Sequence, residues 1–394
     1  MSFTDAQLPF VAIACGGTGG HLFPGLAVAG QLKARGCSVA LLTSPKEIDQ
    51  QAVKSAGGLE VFTLPAVGLQ NRNYFSFSRS FWQSWRAARK LFQARPPQAV
   101  LAMGGFTSAP PVLAGNALGS KTFLHESNTI PGRANRLLAR WVDAAFVGFA
   151  EAGPRLKARQ VTTTGTPVRA GFVAADVPSV AACRAALGLD LDRPVVLVMG
   201  GSQGASGLNE MMLSALPLLA RKNWQWLHLT GAGDFEKVNA GYAAQKIKAV
   251  VKPFLAEMDL ALGAATASVS RSGASSLAEI SALRLPSLLV PYPAAADHHQ
   301  WHNARAYEST GAARLLEQKH STPKIVAAWL TELVELEATR ASMQAALAPW
   351  HAPKAAEQIA EIILAAIPQP AKAVPETMNK CGCAHTHGPT KHAH

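Results

Sequence analysis

Short apolar runs alternate with helix-length segments along most of this chain. FVAIA at 10–14, CSVALLT at 37–43, AVLAM at 99–103, KTFLH at 121–125 and AAFVGF at 144–149 occupy the first half. PVVLVM at 194–199, QWLHLT at 225–230, TASVS at 266–270 and SLLVP at 287–291 occupy the second. These runs are continuous rather than alternating, as expected of strands covered on both faces, and the amphipathic stretches between them fit crossover helices. The pattern predicts an α/β protein with doubly wound parallel sheets. FVAIACGGTGGHLFPGLAVAGQL near the start is echoed much later by VVLVMGGSQGASGLNEMMLSAL, each a strand, a glycine turn and a helix. Two domains follow, 1–168 and 169–348. Pro349 and Pro353 then precede a last helix within 349–367, and a Pro-, Ala- and His-rich tail at 368–394 is expected to be disordered.

The two glycine turns carry the first chemical signal. Glycine after a strand lets backbone N–H groups approach a ligand, and the following helix N-terminus favours anions. One such turn can be a tight connection only; two at matching places point to a ligand held between domains. The dinucleotide fingerprint G-x-G-x-x-G fails, because Leu22 stands where its third glycine belongs. Gly200-Gly201-Ser202-Gln203-Gly204 is a literal G-x-S-x-G, so a serine hydrolase with Ser202, Asp259 and His298 or His299 is an alternative reading. His21, where a strand end meets a helix N-terminus, is a candidate general base.

Three further stretches stand out. RSGASSLAE at 271–279 runs from a strand into a helix and combines small residues with Arg271 and Glu279, a set suited to a phosphate and to vicinal hydroxyls. PYPAAADHHQWHNA at 291–304 brings amides that can read sugar hydroxyls, while its histidines are poorly spaced for a metal. LHESN at 124–128 is not H-E-x-x-H, so no zinc-protease site is expected.

Composition narrows the setting. With 394 residues and 48% hydrophobic content the chain can bury two cores. Five scattered cysteines are no disulfide framework, and neither a basic signal start nor a membrane-spanning run occurs. The net charge of +12 calls for an anionic partner. No acid lies between Glu60 and Glu126, whereas Arg72, Arg79, Arg86, Arg89, Lys90, Arg95 and Lys121 do. Within 68–95, Phe77, Phe81, Trp85, Ala88 and Phe92 recur at helical spacing among these cations. That is either core packing with a solvated face or an interfacial helix drawn to anionic lipid. No nucleic-acid module accompanies it, and nucleic acid is not an expected partner.

GGTGGHLFPGLAVA, AMGGFTSAP, LHESNTIPGRANRLLAR, GTPVR, GGSQGASGLN, RSGASSLAE and DHHQWHN occur in the order and spacing of the MurG family, which residues 9–367 closely resemble. The resemblance implies a GT-B fold, two Rossmann-like domains with parallel sheets facing a cleft, and a C-terminal helix crossing back to the first domain. It implies inverting transfer of GlcNAc from UDP-GlcNAc to the MurNAc C4 hydroxyl of lipid I, giving lipid II in peptidoglycan synthesis, with no cofactor and no metal. It further implies a peripheral enzyme on the cytoplasmic face of the bacterial inner membrane, with other cell-wall synthesis proteins as conceivable partners. By the same resemblance His21 is the catalytic residue, and Thr18, Gly19 and Gly20 form the loop beside it. Asn128, Gln300 and Asn303 contact sugar; Arg169, Ser202 and Leu255 contact the nucleotide. Ala274, Ser275, Ser276, Leu277, Ala278 and Glu279 form the diphosphate and ribose segment. Phe106 lies on the acceptor side, and His125, Glu126 and Asn135 are acceptor-side or structural members of the cleft. Phe106 stands where the family usually has Tyr, and Thr166 where it usually has Asn. Another GT-B enzyme using UDP-GlcNAc, a glycolipid glycosyltransferase or a 2-epimerase, is the alternative within the fold.

Overall fold

The computed structural model describes residues 8–45, 58–65, 74–173, 178–201 and 204–368. The tail beyond 368, with Cys381 and Cys383, lies outside the described residues, as do Ser202 and Arg72.

The first sheet is built from β1 (Phe10–Ala14), β2 (Ser38–Thr43), β3 (Glu60–Thr63), β4 (Ala99–Ala102), β5 (Lys121–Glu126), β6 (Ala144–Val147) and β7 (Val161–Thr163). Its helices are α1 (Gly19–Ala34), α2 (Tyr74–Ala94), α3 (Ala109–Ala117) and α4 (Arg133–Leu138). The strand order is β3-β2-β1-β4-β5-β6-β7, with the described pairs parallel; Val11 lies opposite Val39 on one side and Ala99 on the other. After α5 (Val180–Ala186) the second sheet comprises β8 (Val195–Met199), β9 (Gln225–Leu229), β10 (Ala249–Lys252), β11 (Ala267–Ser270), β12 (Ser287–Leu289) and β13 (Arg314–Leu315), in the order β10-β9-β8-β11-β12-β13. The helices of this half are α6 (Ser206–Leu219), α7 (Phe235–Ala244), α8 (Met258–Ala264), α9 (Ala274–Ala282), α10 (His299–Ser309), α11 (Pro323–Glu335) and α12 (Glu337–Leu347), and α13 (Ala355–Ala366) ends the described chain. Both sheets therefore follow the Rossmann order, with the direction of winding reversing beside β1 and again beside β8.

The central strands form because their apolar runs are buried on both faces: every residue of β1, β4 and β8 is buried. β3, β7, β10 and β13, which the apolar runs do not reveal, are short, peripheral and partly exposed. Helix α1 is apolar around much of its circumference because two partners cover it. Leu22, Val28, Ala29 and Leu32 share a core with the sheet, and Ile359, Ala360 and Ile363 of α13 join that same core. Arg35 at the end of α1 reaches Glu357 at 3.1 Å and Glu361 at 3.4 Å. The chain thus returns to its first sheet after completing the second.

Helix α2 corrects part of its sequence reading. Ala88 and Phe92 are buried as expected, yet the buried line continues through Ser84 and Ser80 rather than through the aromatics. Trp82 is half exposed, stacks on Trp85 at 4.8 Å and carries Arg86 over its ring, while Arg89 covers Trp85. Small serines let α2 lie close to the domain; Trp85 still packs partly buried against the core, and Phe75 and Trp82 face outward. Among the described residues no helix is long and apolar enough to cross a membrane.

Candidate active site between two helix N-termini

A cleft of about 930 Å³ lies at the carboxyl ends of both sheets, where the strand orders reverse. Its floor on one side is the turn from β1 into α1. The N-cap Thr18 is extended, and His21 and Leu22 donate to its carbonyl, so the amides of Gly19 and Gly20 open the helix toward the cleft. Facing it is the start of α9, whose first intrahelical bond runs from the Leu277 amide to the Gly273 carbonyl. The amides of Ala274, Ser275 and Ser276 precede that bond. Neither helix has an acid in its first turn, so the positive ends of two macrodipoles converge without an internal counter-charge.

The two helices touch through an uncommon bond that the sequence explains. Pro24 has no N–H to donate to the carbonyl of Gly20, four residues back. That carbonyl accepts instead from Ser275 Oγ across the cleft at 2.9 Å.

His21 lines the cleft, and the turn after β4 shapes its seat. Gly104 and Gly105 have φ of +105° and +77°; a Cβ on either would stand 2.9 Å and 3.1 Å from the imidazole ring. The AMGGF stretch is thus a cradle for the ring, bare of side chains where the ring lies. Ser108 Oγ fastens this turn, donating to the Gly104 carbonyl at 2.5 Å and accepting from its amide. Phe106 follows and lines the cleft beside Gly17.

The LHESN segment contributes by ordering a loop. Glu126 is almost fully buried; Oε1 accepts from the amide and side chain of Asn128, and Oε2 accepts from Gly132 N and Asn135 Nδ2. One carboxylate thereby fixes the turn that presents Asn128 to the cleft. Asn135 also reaches the cleft wall. His125 does not: it is wholly buried, 3.1 Å from the Gly165 carbonyl and 3.3 Å from Ser127 Oγ, and burial pushes its pKa down to about 4. Its position is internal, and the cleft-side reading is corrected accordingly.

On the other wall, Arg169 donates to Glu279 Oε1 and to the Ala256 carbonyl, both at 2.9 Å, and lies over the Phe23 ring at 4.4 Å. Arg169 Nε is buried and has no hydrogen-bond partner among the described residues. Burial pushes the Glu279 carboxyl up, and Arg169 pulls it back. Leu255 and Gln300 line the same space; Gln300 Oε1 accepts from the Tyr292 amide.

Several expected site residues are elsewhere. Leu277 is buried in the second core, and Ala278, a residue further along α9, does not line the cleft; the usable amides stop at Ser276. Arg271 turns away from the cleft and donates to the carbonyls of Val290 and Pro291 and to Gln318, so it adds no charge at the start of α9. Asn303 is fully buried and spends its amide on Thr129, Asn128 and Ser272. Thr18, Gly19, Gly20, His21, Phe106, Glu126, Asn128, Asn135, Arg169, Leu255, Ala274, Ser275, Ser276, Glu279 and Gln300 do meet at the cleft. Ser202 lies outside the described residues. The sequence reading missed the apolar walls, Phe23, Ile130, Phe254 and Met258, because such residues look like core until the cleft exists. Among the described residues, no group of three or more His, Cys, Asp or Glu side chains is arranged to hold a metal ion.

The comparisons bear on the family and the fold. The model of the glycosyltransferase family 28 N-terminal domain matches residues 11–147, and that of the family 28 C-terminal domain matches 195–360. A UDP-N-acetylglucosamine–N-acetylmuramyl-(pentapeptide) pyrophosphoryl-undecaprenol N-acetylglucosamine transferase of Anaeromyxobacter dehalogenans is 36% identical over 362 residues, 89% of this chain and 91% of that protein. The crystal structure of Acinetobacter baumannii MurG superposes with a TM-score of 0.70 at 25% identity, covering 91% of this chain and 99% of the other. A UDP-N-acetylglucosamine 2-epimerase shares the fold at a TM-score of 0.65 and 13% identity, covering 91% and 96%. Two parallel sheets facing a cleft, both family 28 domains and this identity over nine-tenths of the length make the chain a GT-B protein that belongs to glycosyltransferase family 28, within the MurG family.

Proposed function

We propose that this chain transfers GlcNAc from UDP-GlcNAc to the MurNAc C4 hydroxyl of lipid I, forming lipid II with inversion at the anomeric carbon. The observation that carries the chemistry is the convergence of the α1 and α9 N-termini on one cleft beside His21. In a single displacement the acceptor oxygen attacks the anomeric carbon as the bond to the UDP oxygen breaks, its electron pair leaving with the diphosphate. The amides of Ala274, Ser275 and Ser276 face the space where that negative charge grows, and preorganised donors there lower the barrier. His21, held between α1 and the Gly104–Gly105 turn, takes the hydroxyl proton. Glu279 and Arg169 serve the nucleotide end, Asn128 and Gln300 the sugar end, and Phe106 with Asn135 the acceptor side.

In this reading 1–168 is the acceptor domain, 169–348 the donor domain, and 349–367 the return to the first. The exposed Trp82, Phe75, Arg79 and Arg86 of α2 suit a peripheral contact with an anionic bilayer surface, the cytoplasmic face of the inner membrane in this assignment. The relatives' names favour the transferase over a 2-epimerase or a hydrolase.

The test is transfer of radiolabelled GlcNAc from UDP-GlcNAc to a short-chain lipid I analogue by the purified protein, with UDP release followed in parallel. Labelled disaccharide lipid is the expected product. UDP-GlcNAc binding without transfer overturns the acceptor assignment, and the absence of both overturns the donor assignment.

A further inference from the structure

Asn303 has no hydrogen-bonding capacity left for a sugar. Its Oδ1 accepts from the Thr129 amide at 3.0 Å and from Thr129 Oγ1 at 2.9 Å, filling both lone pairs. Its Nδ2 donates to Asn128 Oδ1 at 3.0 Å and to the Ser272 carbonyl at 3.1 Å, using both hydrogens. A backbone amide can only donate and a backbone carbonyl can only accept, so Thr129 N and Ser272 O fix which end of the side chain is oxygen. The side chain is also wholly buried.

Three of these four bonds cross between the domains. Asn303 and Ser272 belong to the half built on β8–β13, whereas Asn128 and Thr129 follow β5. Asn128 is held from both sides, by Glu126 Oε1 from its own domain and by Asn303 from the other. It keeps one N–H and one lone pair, a donor and acceptor side by side of the kind a hydroxyl needs, and it lines the cleft. Beyond it, Arg136 meets Asp297 at 2.8 Å across the same seam.

We propose that Asn303 is a positioning residue, a clasp that completes the hold on Asn128 begun by Glu126 when the two domains are closed, and that it contacts no sugar itself. This rests on the substrate reading of Asn128 given above. Closure then does two things at once: it brings the donor wall up, and it locks Asn128 in the orientation that Glu126 begins. Specificity for the correct sugar hydroxyl is coupled to closure through a single amide.

The experiment compares Asn303→Ala, Asn303→Asp and Asn128→Ala in the full chain. Asn303→Ala should lower kcat/KM for the lipid-linked acceptor about 10- to 100-fold, as expected when buried partners are left unsatisfied. The ratio of UDP-GlcNAc to UDP affinity, by calorimetry without acceptor, should fall no further in Asn303→Ala than in Asn128→Ala, and the double variant Asn128→Ala/Asn303→Ala should be no worse than about threefold below Asn128→Ala alone. A selective loss of UDP-GlcNAc over UDP affinity larger than that of Asn128→Ala, or fully multiplying losses, would overturn the proposal in favour of a direct sugar contact. Amide deuterium exchange at Thr129 is a readout independent of turnover. It should rise in Asn303→Ala and remain near wild type in Asn303→Asp, which keeps the acceptor oxygens but cannot donate to Asn128. Unchanged exchange in Asn303→Ala also overturns the clasp. If the alanine variant folds poorly, Asn303→Asp takes its place in the kinetic comparison, with the same loss of kcat/KM expected and the same results overturning the proposal. Wild-type protein that fails to use lipid I would sink the proposed acceptor, and the exchange result would still decide the clasp.

Discussion

Gly104→Ala isolates the seat of His21 from the residue itself. The added methyl would stand 2.9 Å from the imidazole Cε1 and 3.0 Å from Nδ1, where ordinary contact begins at 3.4 Å, so ring or turn must retreat by about 0.5 Å. The backbone cost is separate: φ of +105° suits glycine, and alanine there loses about 1–2 kcal/mol of stability. Misplacing a reacting group by about 1 Å can cost roughly 10²-fold, so a shift of half that size should reduce kcat by about 10-fold. UDP-GlcNAc affinity should hold, because the donor amides belong to another wall. The assay is initial-rate kinetics at saturating donor and acceptor, with calorimetry for UDP-GlcNAc and a melting curve to record the stability loss. In a His21→Ala background, itself expected to lose about 10²- to 10⁴-fold in kcat, the extra methyl should cost almost nothing further. Two results would refute the reasoning: unchanged kcat in Gly104→Ala with the melting temperature lowered, or an undiminished further loss in the double variant.

Glu279→Gln removes the charge that faces Arg169 and should weaken UDP-GlcNAc binding about 10-fold or more, with a smaller effect on kcat at saturation; calorimetry showing an unaltered Kd would count against its donor role. Arg86→Glu with Arg89→Glu should sharply reduce sedimentation with anionic vesicles and leave binding to neutral vesicles unchanged, and equal sedimentation would assign α2 to another purpose. Burial lowers His125 to about 4 and His228 to about 3, so below the ordinary histidine value the unfolded chain binds more protons than the folded one. Stability is therefore fully present above pH 6.5 and lost as pH falls toward those values, at about 1.4 kcal/mol per pH unit for each ring; a urea midpoint that does not drop between pH 7 and pH 5 contradicts this.

What the sequence disclosed follows from how much constraint each residue carries. The central strands were legible because burial on both faces forces unbroken apolar runs, and the glycine turns because close backbone approach excludes side chains. Edge strands such as Val161–Thr163 were not, since half-exposed chain obeys no such rule. In the site, His21 and the α9 start could be found from their place at a strand end. The true length of the α9 anion surface could not, because where a helix begins depends on which carbonyl captures the Leu277 amide. Asn303 illustrates the larger difficulty. Its residue type is right for a sugar contact, and only the folded geometry discloses that a loop 174 residues away in the chain has already claimed its bonds. Arg271 likewise looked like a phosphate ligand until the carbonyls of Val290 and Pro291, just past β12, and Gln318 took its guanidinium.

The return of the chain to its first sheet gives the two halves a second covalent tie. One crossing leaves β7 toward Arg169, the other leads from Trp350 to α13, and they run side by side: a Cβ on Gly165 would lie 2.2 Å from that of Ala352. A body joined by a single thread can swivel freely. One hung on two adjacent pins, the second of them anchored by Ile359 and Ile363 beneath α1, swings like a door. Two adjacent ties oppose a relative twist more than a single linker would. The contact of Ser275 with the Gly20 carbonyl at the cleft thus belongs to two halves tied by both crossings, and the register of the two helix ends is constrained by the pair rather than by one linker.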